Sequence, residues 1–146
     1  MRVFKTILCP IDFSDPSYAA LEYGLGLAQA AGAKIILAHM LHNPSSEFFR
    51  EDGFVMPWDK AKERARALLE EARTKYLGGY ANTDFVVETG DPHQLIVELA
   101  RTRKADLIVI ATHGRTNLAH LVLGSVAEKV IRYAPCPVFV VRRHDH

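Results

Sequence analysis

The chain has 146 residues, of which 49% are hydrophobic and 24% charged; that length and mixture can bury one core without staples, and they exclude disordered and fibrous classes. The 18 basic and 17 acidic residues leave a formal charge of +1, too small a sequence-wide attraction for nucleic acid or an anionic membrane to be the expected partner. One domain spanning residues 1–146 is expected.

The opening run, Val3 to Ile11, is the first strand candidate and reaches Asp12 too soon for a transmembrane helix, with no small-residue cleavage site; a cytoplasmic protein is expected. Helical spacing follows over Ser17 to Ala31, with Ser14 or Asp15 as the cap and Gly32 as the stop. Lys34 to Leu41 is the second strand, apolar at every position from Ile35 to Ala38. Such a run suits a strand covered on both faces.

The long connection from His42 to Pro57 reads as a mobile flap whose Phe48, Phe49, Phe54 and Trp58 either lid a ligand or pack on a neighbouring surface. Trp58 to Tyr76 is the second helix, closed by Gly78 and Gly79, and Thr83 to Glu88 the third strand. Asp91 and Pro92 cap and open a helix over Gln94 to Arg103; then come the strand Asp106 to Ala111, the helix Ser125 to Tyr133 and the strand Pro137 to Val141. Strand and helix alternate throughout. With right-handed crossovers this predicts an α/β, doubly wound, five-stranded parallel sheet in the order 3-2-1-4-5, two helices on each face and no antiparallel pair.

Chemistry is concentrated between the fourth strand and the last helix, in the stretch Ala111 to Val126. Open α/β sheets bind ligands beyond the carboxyl ends of their strands, and helix N-termini offer unpaired N–H groups to anions. There Gly124 lets the backbone approach a phosphate without a Cβ, and Ser125 adds a hydroxyl and an amide; Gly114 can do likewise opposite. Asp12 ends the first strand, where its carboxylate either accepts from a sugar or base or caps the turn into the first helix beside Ser14. His39, His42, His113 and His120 lack zinc-motif spacing and read as ordinary strand-end or loop histidines. Cys9 and Cys136 each lie in an apolar run, as reduced core thiols do.

Taken together, Cys9-Pro10-Ile11-Asp12-Phe13-Ser14, the loop motif and Ala134-Pro135-Cys136-Pro137-Val138 resemble the universal stress protein family across the whole chain. Its ATP-binding members carry GxxG, nine residues, then Gly and Ser or Thr; here Ala111-Thr112-His113-Gly114 is followed by nine residues and Gly124-Ser125, so only the first glycine differs. The resemblance implies the adenine nucleotide alpha hydrolase-like fold. It also implies that Asp12 with backbone at Pro10 and Met40 faces adenosine, while Gly114, Gly124, Ser125 and Val126 face ribose and phosphates, helped by His113 and Arg115. Ala111 puts a methyl group where the family's binders leave space.

The expected function is an ATP-binding regulatory or stress-response module, with ATP, with or without Mg2+, as its ligand. The alternative is a dimeric interaction protein of the same fold that binds no nucleotide. No P-loop, pyrophosphatase loop or adenylyl-transfer motif occurs, so efficient catalysis is not expected, though slow hydrolysis stays open. A homodimer is expected through the last strand, because Pro137 to Val141 is an apolar sheet edge.

Overall fold

The computed structural model describes residues 3–42, 49–112 and 123–142. In chain order these form β1 (Thr6–Pro10), α1 (Asp15–Ala31), β2 (Lys34–Leu41), β3 (Arg50–Glu51), β4 (Phe54–Val55), α2 (Trp58–Tyr76), β5 (Thr83–Thr89), α3 (Pro92–Thr102), β6 (Leu107–Ala111), α4 (Ser125–Tyr133) and β7 (Val138–Val141). Five strands make one parallel sheet in the order β5-β2-β1-β6-β7. Counting those five alone, this is the expected 3-2-1-4-5.

Alternation along the strands sorts the core into two layers. Ile7, Cys9, Ile35, Leu37, Leu107 and Val109 pack with α1 and α2, while Leu8, Ile36, Ala38, Ile108 and Ile110 pack with α3 and α4. Each helix answers with a stripe at helical spacing. On α1 it is Ser17, Ala20, Leu21, Gly24 and Ala28; on α2 it is Ala61, Ala65, Leu69 and Ala72, on an otherwise mostly charged helix.

The helix limits follow their caps. Ser14 accepts from Ser17 N–H, so α1 starts at Asp15 and not Ser17, and Gly32 ends it in the left-handed conformation. Asp91 accepts from His93 N–H and Pro92 opens α3, two residues before the expected start. At the other end of the sheet, Asp106 holds Lys5 and Thr6 N–H at 2.8 and 2.9 Å through one carboxylate oxygen. β1 begins there, and Val3 is 56% exposed outside it.

The expectation of no antiparallel pair is corrected. Arg50 and Glu51 pair with Val55 and Phe54 in a two-stranded antiparallel hairpin within the connection expected to be a flap. Its turn residues Asp52 and Gly53 have φ of 52° and 80°, the signs of a two-residue hairpin turn whose twist matches its strands. Nor do that connection's aromatics act together. Phe49 is 1% exposed and belongs to the core, whereas Phe54 is 77% exposed; Phe48 lies outside the described residues.

Candidate functional site

The sheet order reverses direction at the neighbouring strands β1 and β6: the chain winds outward from β1 through β2 to β5, then returns to lay β6 and β7 on the other side. No crossover covers the carboxyl ends of such a neighbouring pair, which leaves a crevice between the loops leaving them. A cleft of about 270 Å³ opens there, near the lower end of the roughly 300–1,000 Å³ typical of small-molecule sites.

Four kinds of segment build it. The end of β1 brings Pro10, Ile11 and Asp12; β6 brings Ile110, Ala111 and Thr112; β2 brings His39 and Met40; and the amino-terminal turns of α4, α3 and α1 bring Gly124 to Ala127, Pro92 and Ile96, and Ser17. Ile96, Ile110, Met40, Pro92 and Val126 give the cleft apolar walls. Among the described lining residues Asp12 is the one carboxylate and none is Lys or Arg.

Of the two roles considered for it, Asp12 takes up the cap of the turn into α1. Its Oδ1 accepts from Ser14 N–H at 3.0 Å and from the Ser14 hydroxyl, tying the turn into α1. Oδ2 has no hydrogen-bond partner among the described residues, and Asp12 lines the cleft.

Across the cleft, Gly124 is the N-cap of α4 with φ −73° and ψ 160°, and offers no side-chain cap. That backbone is open to any residue, so a glycine is not needed there for conformation. What it does is keep a side chain away from the first turn. Gly124 N–H donates to the Thr112 carbonyl at 2.6 Å, while Glu128 N–H makes a helical bond back to Gly124. The N–H groups between, on Ser125, Val126 and Ala127, therefore have no acceptor earlier in the helix and carry its partial positive charge. Thr112, 4% exposed, also donates its N–H to Val141, so one buried residue sets α4 and β7 against the end of β6.

The structure brings Pro10, Asp12, Met40, Ala111, Gly124, Ser125 and Val126 to this one cleft; His113, Gly114 and Arg115 lie outside the described residues. The Ala111 methyl belongs to the core on the α1 and α2 side. His39 lies near the carboxyl end of β2, as a strand-end histidine should, but the sequence reading did not place it in the site. It is 6% exposed, it lines the cleft, and its Nδ1 donates to the Ile11 carbonyl at 2.8 Å. Thr112, Pro92 and Ile96 also went unnoticed as lining residues, and for Pro92 the signal was available, since Asp91-Pro92 marks a helix N-terminus at a strand's carboxyl end.

Cys9 and Cys136 are free thiols, and burial pushes the Cys9 pKa up to about 12, which suits core packing and not nucleophilic work. Among the described residues no group of three or more His, Cys, Asp or Glu side chains could hold a metal ion, and no helix is long and apolar enough to cross a membrane.

Comparison with known proteins converges on one family. The model of the universal stress protein family matches residues 4–142. The universal stress protein encoded in the QAH/OAS sulfhydrylase 3′ region of Thermus aquaticus is 36% identical over 140 residues, covering 96% of this chain and 100% of that one. The structure of MJ0577, a universal stress protein of Methanocaldococcus jannaschii, superposes with a TM-score of 0.82 at 29% identity, covering 99% of this chain and 100% of that one. A universal stress protein solved in complex with cAMP superposes with a TM-score of 0.74 at 26% identity, covering 97% and 98%.

Proposed function

The chain belongs to the universal stress protein family, and on that premise we propose that its cleft binds an adenine nucleotide, ATP foremost, and that the protein is a nucleotide-dependent regulatory module of a stress response. The observation that carries the reading is the uncapped first turn of α4 at Gly124, Ser125 and Val126, facing the switch-point cleft that Asp12 shares. N–H groups and helix charge suit phosphates, and the apolar walls suit a purine. Asp12 Oδ2 accepts from the ribose or base, as Pro10 and Met40 line the nucleoside side. Relatives lend support to the ligand class, since one universal stress protein of the same fold was solved with cAMP. Ala111 both belongs to the core cluster and lines the cleft at 8% exposure, so the departure from glycine takes little of the cleft's surface.

Mg2+, where it accompanies the nucleotide, would be held mainly by the phosphates and water, since among the described residues no group of three or more His, Cys, Asp or Glu side chains could hold it. The cleft is suited to binding and not to turnover, because Asp12 Oδ1 is already engaged by Ser14 and no second carboxylate among the described lining residues stands by as a base. Occupancy then shifts the protein between states that differ in what they contact.

The module is a homodimer through β7. Ile108 N–H bonds to the Pro137 carbonyl and Thr112 N–H to the Val141 carbonyl, so odd-numbered residues face β6 and the backbone of Val138 and Val140 faces the open edge. Phe139 and Tyr133 are 39% and 59% exposed nearby. Two copies pairing about a two-fold axis satisfy both edges.

The test is to denature freshly purified protein, look for adenine nucleotide by chromatography, and titrate the stripped protein with ATP, ADP and AMP by calorimetry. Saturable binding of one nucleotide per chain is expected. Absence of binding at millimolar ATP replaces this reading with that of a nucleotide-free interaction protein.

A further inference from the structure

β1 ends at Pro10, yet the chain stays tied to β2 for one residue more, because Ile11 N–H donates to the Ala38 carbonyl at 2.8 Å. The next tie comes from a side chain. His39 Nδ1 lies 2.8 Å from the Ile11 carbonyl oxygen, and since a carbonyl only accepts, Nδ1 carries the hydrogen and donates it. The His39 ring also lies 4.4 Å from that of Phe13, centroid to centroid, with Phe49 5.7 Å away. Phe13 has φ of 66° and is 4% exposed. A bulky residue holds that backbone only where its surroundings impose it, and such strain gathers at functional sites. His39 thus grips the residue before Asp12 by its carbonyl and the residue after it by its ring.

We propose that His39 is a positioning residue for the ligand of this cleft, fixing the direction in which Asp12 presents its second carboxylate oxygen. The proposal rests on the adenine-nucleotide reading of the same site. His39 lines the cleft, but its part is played through the turn it holds.

Three replacements separate this part from plain packing. His39→Leu removes the donor, His39→Asn returns an amide N–H near the Nδ1 position, and His39→Gln carries it out towards Nε2. Calorimetry with ATP and with adenosine, beside thermal melts, should find affinity for both ligands reduced about tenfold in His39→Leu, the size of one lost oriented polar contact. His39→Asn should recover most of that affinity while melting no higher than the leucine variant, a split that a merely structural role would not produce. If the leucine variant does not fold, Asn must still bind more tightly than Gln. In an Asp12→Ala background, His39→Leu should weaken binding by less than about twofold, because the group it orients is gone. Wild-type protein that binds while His39→Leu binds equally well, Asn no better than Gln, or a full loss persisting in the Asp12→Ala background overturns the proposal alone. Wild-type protein that binds no adenine nucleotide overturns the underlying reading, and the proposal with it.

Discussion

Gly24 is where the packing that delivers Asp12 can be tested most sharply. It lies on the buried stripe of α1, and a Cβ added there would stand 2.9 Å from Cys9 Sγ. Ordinary contact begins at 3.4 Å, so helix and strand would have to part by about half an ångström. Neither moves easily: Cys9 is 1% exposed, and β1 is bonded to β2 on one side and β6 on the other. Gly24→Ala gains about 1 kcal/mol of helix propensity, against roughly 1–3 kcal/mol for overpacking. A net loss of about 1 kcal/mol is expected. In a Cys9→Ala background the obstructing sulfur is absent and the new methyl fills its place. The same change should then stabilise by about 1 kcal/mol, giving a coupling of about 2 kcal/mol. Urea unfolding of the four proteins at one common concentration measures it, from midpoints with a shared slope. Gly24→Ala stabilising both backgrounds alike would refute the close approach of α1 to β1.

Gly124→Val leaves the extended backbone of that residue allowed but sets three carbons at the α4 first turn; ATP affinity should fall more than about tenfold for roughly 1 kcal/mol of lost capping. Ser125→Ala should weaken ATP by about 0.5–1.5 kcal/mol, and calorimetry showing ATP binding unchanged in Gly124→Val would remove the helix terminus as the phosphate site. Val140→Pro strikes the outward-facing row of β7 and spares its ladder to β6, so light scattering should find folded monomer; a persisting dimer points to another interface. Thiol titration of the native protein should modify Cys136 and leave Cys9, which is buried, to react only on unfolding. Because burial raises Cys9 from 9.0 to about 12, the unfolded chain ionises first. The sign is therefore a loss of stability as pH rises above 9.0, by up to about 1.4 kcal/mol per unit, and Cys9→Ala should flatten that slope.

The amino-acid sequence by itself determined the layered α/β fold, its five parallel strands and their order, because short strand runs alternate with helices that have their own stripe and punctuation, and the crossovers between parallel strands are right-handed. It also located the cleft, since Asp12, Gly124 and Ser125 lie where strands end and helices begin. The Asp52-Gly53 turn was equally local and readable; the hairpin was missed because the strands it joins are two residues long. Only the tertiary structure decided what depends on distant residues meeting. His39 became a buried cleft residue because Ile11, 28 positions earlier, presents a carbonyl to it. Phe49, in an unpatterned connection, became core by reaching Phe13 and His39, and Gly24 acquired its meaning from a sulfur on another strand. Periodicity reports which way a side chain faces relative to its own element; which partner it finds there is fixed by the packing of elements against one another.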